Sequence, residues 1–229
     1  MNVQLSSHKI ARGLAVCTGW LVLAHLAMQF LKFNYDHSNV IGLVRFFDLD
    51  QERNLPTVFS FGLLLTAASV LGLIARDAAV NAKPYSARWS GLMIIFFWVA
   101  LDEILCIHEE WLPFLRGYFN TKGLLYYCWQ IPYLIVLAVL LFFYLPFIKV
   151  LAPVRRWVIT AGVLYFTGVV VCESLSGLYH YLTGDRGESL VYMLLTTVEE
   201  SCEMAGVIAF IYAMLEYARL EVKQIDLAA

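Results

Sequence analysis

The chain has 229 residues, of which 61% are hydrophobic and 15% charged, with a net charge of −2. A soluble domain carries about 25% charged residues, so the composition excludes an ordinary soluble fold and points to one membrane-embedded domain over residues 1–229. The negative balance excludes nucleic acid as a partner, because no basic face is available to neutralise phosphates. The five cysteines, Cys17, Cys106, Cys128, Cys172 and Cys202, lie in apolar runs without CxxC spacing. They predict buried thiols, not structural zinc or a disulfide framework.

A hydrocarbon core needs roughly 20 apolar residues per helix. Six segments qualify, at about 10–31, 56–75, 89–110, 124–148, 157–180 and 190–217, and predict an all-α polytopic bundle of six transmembrane helices. The first follows Lys9 and Arg12, as a signal peptide would, but runs on to Leu31, too long for a signal h-region. Residues 32–55 form the longest loop, in which Ile41, Val44 and Phe47 recur at helical spacing. A short helix on the membrane surface and an ordered loop over the helix ends both fit. Pro56 opens the second helix, where its missing N–H costs nothing. Pro113 is expected to end the third, and Pro132 and Pro146 to bend or end the fourth.

Short-loop charges set the orientation. One side holds Lys9, Arg12, Arg76, Lys83, Arg88, Lys149, Arg155, Arg156, Arg219 and Lys223; the other holds Lys32, Arg45, Arg53, Arg116, Lys122 and Arg186. The second side also carries Asp36, Asp48, Asp50, Glu52, Asp185 and Glu188. Both termini are therefore expected in the cytoplasm.

Charged groups within a bilayer cost at least about 2.5 kcal/mol each on insertion scales, yet this chain keeps many. Asp102, Glu103, Glu109 and Glu110 form an acidic arc on the third helix, and a regular helix would point His108 roughly 100° away from Glu109. Only a distortion near the helix end, or a partner approaching from that side, brings His108 to the arc. Glu173 and His180 share a face of the fifth helix, with Ser176 and Gly177 between them. Glu199, Glu200 and Glu203 crowd the sixth. The helix directions put all of these, with His25 and Gln29, at one level in the extracytoplasmic half. The inner halves, such as Leu63 to Ala68 and Gly206 to Ala213, are almost purely apolar, which counts against a through-channel.

Four carboxylates, Glu103, Glu173, Glu199 and Glu203, with His108 and His180, make up the ligand stock of a di-iron or di-manganese helical bundle. Asp102 and Glu200 extend it as ligands or orienting groups, and Glu109 and Glu110 are placed to move protons. The donors favour Fe, Mn or Zn, in a mononuclear or dinuclear centre. Two other readings remain open: a protonated hydrogen-bond network that specifies packing, and a proton or cation path. In the loop, Asp48, Asp50 and Glu52 alternate as in calcium loops but lack the EF-hand glycine and terminal glutamate. Capping of the second helix by Asn54 or Thr57 is the simpler role, and a lid over the cluster is the functional one. Tyr126, Tyr127, Trp129 and Tyr133 fit an interfacial belt.

Phe47 to Thr57 (FDLDQERNLPT), the LDExxxxHE motif from Leu101 to Glu109, and the EExxEM motif opening Glu199 to Gly206 together resemble a group of bacterial multi-pass proteins known as hypothetical membrane proteins. The likeness spans about 47 to 206 and brings no activity with it. It implies a bacterial inner or plasma membrane location. A looser likeness to membrane hydrolases of the ceramidase type lacks their histidines on neighbouring helices, so none of their residues carries over. The expected function is a metal-dependent membrane oxidoreductase or hydrolase acting on a lipid or another hydrophobic substrate. A proton-coupled transporter, and a non-catalytic subunit of a homo-oligomer or larger membrane complex, are the alternatives.

Overall fold

The computed structural model describes residues 6–35, 39–185 and 189–222. Asp36, Arg186, Glu188 and Lys223, four of the loop charges weighed above, lie outside them. The described residues form an all-helical bundle without strands.

Helix α1 (Ser7–Tyr35) leads through a 3-10 turn (Val40–Gly42) into the four-residue α2 (Leu43–Phe46). Helix α3 (Leu55–Val80) follows. Its N-cap is Asn54, whose side chain accepts from Thr57 N at 3.2 Å, with Pro56 in the first turn. Helix α4 (Ser86–Leu105) stops at Cys106, which takes a left-handed conformation at φ 55°. The chain then turns through α5 (Ile107–Glu110) and α6 (Leu112–Phe119). Pro113, the expected terminator, instead sits in the first turn of α6, where proline is tolerated.

The fourth apolar segment starts later than its hydropathy suggests. A 3-10 turn (Gly123–Leu125) precedes α7 (Gln130–Tyr144), so Pro132 falls in the first turn and bends nothing. Pro146 lies in a 3-10 extension, Leu145–Lys149. The segment expected as one helix over 157–180 is divided into α8 (Arg155–Phe166), a π-turn (Thr167–Cys172) and α9 (Glu173–Thr183). Helix α10 (Leu190–Glu221), 32 residues and about 48 Å long at 1.5 Å per residue, packs against α1, α3, α8, the π-turn and α9.

Four stretches are long and apolar enough to cross a membrane: Ser7–Tyr35, Leu55–Val80, Gln130–Lys149 and Arg155–Thr183. The two other long helices, α4 and α10, carry Asp102 and Glu103, and Glu199, Glu200 and Glu203. Large apolar side chains face outward, among them Trp20 and Phe30 on α1, Ile135 and Phe142 on α7, and Val163 on α8. An aqueous surface rarely shows so much contiguous apolar area, whereas lipid accepts it.

The start of α1 and the end of α10 lie at one end of the bundle. Ser7 Oγ donates to Glu216, and the Tyr212 hydroxyl meets His8 Nε2 at 3.1 Å. Lys83 Nζ joins the same end, donating to Asp77 Oδ2 at 2.6 Å and to the Glu221 carbonyl at 2.7 Å. An aromatic core fills the space above: Trp89 lies 4.7 Å from the rings of both Phe147 and Tyr217, and Phe96 stacks on Phe210 at 4.4 Å. Glycines let α8 and α10 close up, as small residues do between membrane helices. A Cβ on Gly206 would meet Tyr165 N at 2.7 Å, and one on Gly168 would meet the Glu199 carbonyl at 2.8 Å.

Gly206→Val forces that interface apart and should destabilise the protein by about 1–3 kcal/mol, the usual cost of overpacking. Gly19 has open space around it, so Gly19→Ala should leave the melting temperature equal or slightly higher. Thermal unfolding of the two variants in detergent checks the contrast.

Candidate metal centre

The break at Cys106 shapes the site. Once the chain leaves the α4 axis in a left-handed residue, His108 folds back over the end of its own helix. Asp102, buried one turn earlier, receives it twice: Oδ1 accepts from His108 N at 3.0 Å and Oδ2 lies 3.3 Å from Nδ1. This is the distortion that the histidine needed to reach the acidic arc. The Trp129 ring packs on the imidazole at a centroid distance of 4.8 Å.

The loop between α2 and α3 supplies the third partner. His25, fully buried on α1, accepts from Leu49 N at its Nδ1 (3.1 Å), so its Nε2 is the protonated nitrogen and donates to Thr197 Oγ1 (3.1 Å). Asn54 Nδ2 donates to the Arg45 and Asp48 carbonyls. These contacts press the loop onto the helix ends and deliver Glu52 to the α4–α5 corner, where its Oε2 lies 3.6 Å from Cys106 Sγ and accepts from Thr57 Oγ1 at 3.3 Å.

Among the described residues, Glu52, His108 and Glu109 form one group whose ligand atoms all lie within 4.8 Å of one another. Glu52 and Glu109 line a polar cleft of about 270 Å³ together with Arg45, Asp50, Arg53 and Glu110. Two carboxylates and an imidazole, open on one side, suit a divalent ion of the Fe, Mn or Zn class that keeps positions for water or substrate. With Nδ1 held by Asp102, His108 has Nε2 left for an ion, the arrangement by which carboxylates orient metal-binding imidazoles. Arg53, itself left-handed at φ 62°, meets Glu110 at 3.5 Å. Both are exposed, so the pair contributes about 0–1 kcal/mol. In the same loop, burial and the Asp48 charge push the Asp50 carboxyl up to about 7.

The other predicted residues fall outside this group of three. Glu103 interacts electrostatically with Glu52, His108, Asp102 and Glu109. Glu200 and Glu203 feel one another, Glu103 and Glu52. Glu173 accepts from Trp129 Nε1 at 3.1 Å, and Glu199 accepts from Ser176 Oγ at 3.1 Å. His180 turns both ring nitrogens to tyrosines, Nδ1 to the Tyr127 hydroxyl (2.9 Å) and Nε2 to that of Tyr126 (3.5 Å). Tyr126 and Tyr127, expected in an interfacial belt, thus hold a buried histidine. Tyr127 can approach because Gly177 has no Cβ, which would stand 2.9 Å from the Tyr127 ring.

Sequence reasoning read the acids of this loop in terms of helix capping or a lid and missed Glu52 as a candidate ligand. Its signal was the alternating acidic run, which a lid over the cluster would also produce. Asn54→Ala removes both the α3 cap and the two loop contacts. It should cost about 1–2 kcal/mol, the range of lost caps, and speed proteolysis between residues 48 and 53, as thermal melts and limited digestion would show.

No curated protein and no solved structure matches this chain. Residues 13–218 match the family described as Domain of unknown function (DUF8692), and the chain belongs to that family.

Proposed function

We propose that this protein crosses a bacterial plasma membrane six times with both termini in the cytoplasm, and holds a divalent Fe, Mn or Zn ion at Glu52, His108 and Glu109 on the extracytoplasmic side. It uses the ion to act on a lipid or another hydrophobic substrate. The observation that carries this reading is the triad itself: three donors from a loop and a broken helix, one of them oriented by Asp102, with Glu52 and Glu109 on the wall of a cleft. The count of six rests on four apolar stretches plus α4 and α10, on which Asp102 and Glu199 find partners inside the bundle. The resemblance to bacterial multi-pass membrane proteins supports the location.

Such an ion supplies a Lewis acid and a water acidified toward neutrality. The chain's own groups do the rest. Asp102 fixes the tautomer and direction of His108. Glu110, exposed beside Glu109, exchanges protons with solvent. Glu103, Glu173, Glu199, Glu200 and Glu203 are the carboxyl stock from which a second ion would draw. The Trp111 and Phe114 side chains, exposed on the α5–α6 segment, offer an apolar approach for a lateral substrate.

Protein purified without chelators should carry about one equivalent of a transition metal. Less than roughly a tenth of an equivalent, well below the occupancy of a structural or catalytic site, would overturn the reading. Glu52→Gln and His108→Ala should abolish the metal. Asp102→Asn should weaken it by about 10–100-fold, the typical effect of losing an orienting carboxylate. For the topology, reporter fusions at Ala82 should read as cytoplasmic and fusions at Lys122 as extracytoplasmic.

A further inference from the structure

We propose that the small cavity between α1, the 48–51 turn and the start of α10 is a second ion site, built for a hard, oxygen-preferring cation of calcium size. It adjoins the cleft of the Glu52–His108–Glu109 triad, sharing Asp50 on its wall, but uses none of those three side chains, and its existence does not depend on the reading given to that triad.

The cavity, about 50 Å³, is lined by Gln29, Asp48, Asp50, Tyr192 and Thr196, with Lys32 also on its wall. Gln29 is 3% exposed, and its Oε1 has no hydrogen-bond partner among the described residues. Buried acceptors without a partner are rare, and each demands an explanation. Gln29 lines the same small space as two carboxylates and two hydroxyls. Thr196 Oγ1 spends its proton on the Tyr192 or Met193 carbonyl, so it too presents lone pairs. Asp48 Oδ1 accepts from Asp50 N at 3.3 Å, which fixes the carboxylate against the turn.

Oxygen is thus the main donor that this cavity offers, and oxygen is what calcium selects, taking six to eight such ligands with water among them. A cavity needs roughly 10–15 Å³ per water held, so this one accommodates an ion with a few waters. Alternating Asp48 and Asp50 supply the charge as a calcium loop does. The oxygens that an EF-hand would draw from its own sequence come instead from α1 and α10, which is why the loop lacks the EF-hand glycine and glutamate. Magnesium, which demands tight octahedral geometry and sheds water reluctantly, fits a site spread over three elements less well. The Lys32 charge opposes binding and sets a weak affinity, on the order of 10⁻⁴–10⁻³ M, the range of extracellular calcium modules. The turn that would hold the ion leads directly into Glu52, so an ion here would fix the segment that completes the triad.

The test is equilibrium dialysis of radioactive calcium against the full-length protein in nanodiscs of zwitterionic lipid, stripped with chelator and given calcium chloride alone. The expected result is one saturable site per chain. Gln29→Leu and Asp50→Asn should each weaken it at least tenfold, Lys32→Met should tighten it, and His108→Ala should leave it unchanged. Gln29→Glu keeps the oxygen and adds charge, so it should tighten binding, which covers the case in which Gln29→Leu does not fold. Absence of saturable binding up to roughly 5 mM, above the weak end of calcium modules, means that the cavity holds water only and overturns the proposal. So does wild-type affinity in Gln29→Leu, or loss of calcium in His108→Ala, which would put the ion at the triad. Transition-metal content measured on the same variants reports on the triad separately, since only His108→Ala should lose it.

Discussion

A carboxylate set among apolar helices needs a donor, a proton or an ion, because hydrocarbon supplies none of them. The upper half of this bundle is arranged by that need. Trp129 donates to Glu173, Ser176 donates to Glu199, and Asp102 takes both the backbone and the ring of His108. Each donor comes from a different element, so the polar groups hold the helices in register as firmly as the apolar core holds the opposite end. Helix α10 stands at the centre because it alone faces α1, α3, α8 and α9, and Gly168 and Gly206 let it stand that close.

The 39–54 loop belongs to the same scheme. A loop lying free at a membrane surface would leave its backbone to water, whereas this one inserts Leu49 beneath the helix ends and gives its amide to a fully buried histidine. The cost of burying His25 is offset by satisfying both of its nitrogens. The result is a rigid arm from which Glu52 reaches the α4–α5 corner, so one ligand of the candidate centre depends on contacts made 24 residues away in sequence.

Much of this was readable from the chain. Apolar runs of membrane length predicted an all-helical protein, and the ionisable residues singled out within them include His108 and Glu109 of the present cluster. What periodicity cannot see is where a helix departs from 100° per residue. The left-handed turn at Cys106 has no glycine, asparagine or proline to announce it. It is held by Asp102, and without it His108 points away. The π-turn is likewise silent in hydropathy, since Thr167 to Cys172 reads as ordinary apolar helix. Pro113 and Pro132 misled for the opposite reason: each is a conspicuous breaker, but each sits in a first turn, where no N–H is missed. Glu52 was hidden because its partners are contributed by tertiary folding and not by its neighbours in the sequence.

The π-turn also bears on which length changes the chain can accept. A wide turn holds an extra residue relative to α-helical winding, and everything after it is phased accordingly. Excising a single residue between 167 and 172 would let the segment relax to regular winding and spin Glu173, Ser176 and His180 by about 100°, off the face that meets α10 and the tyrosines. Loops absorb insertions and deletions by bulging outward, but this stretch is clamped on both sides and has nowhere to put the change. Within the family, a relative one residue shorter here would have to anchor its carboxylates elsewhere, so chain length across six residues becomes a marker for whether the contacts of Glu173, Ser176 and His180 are kept.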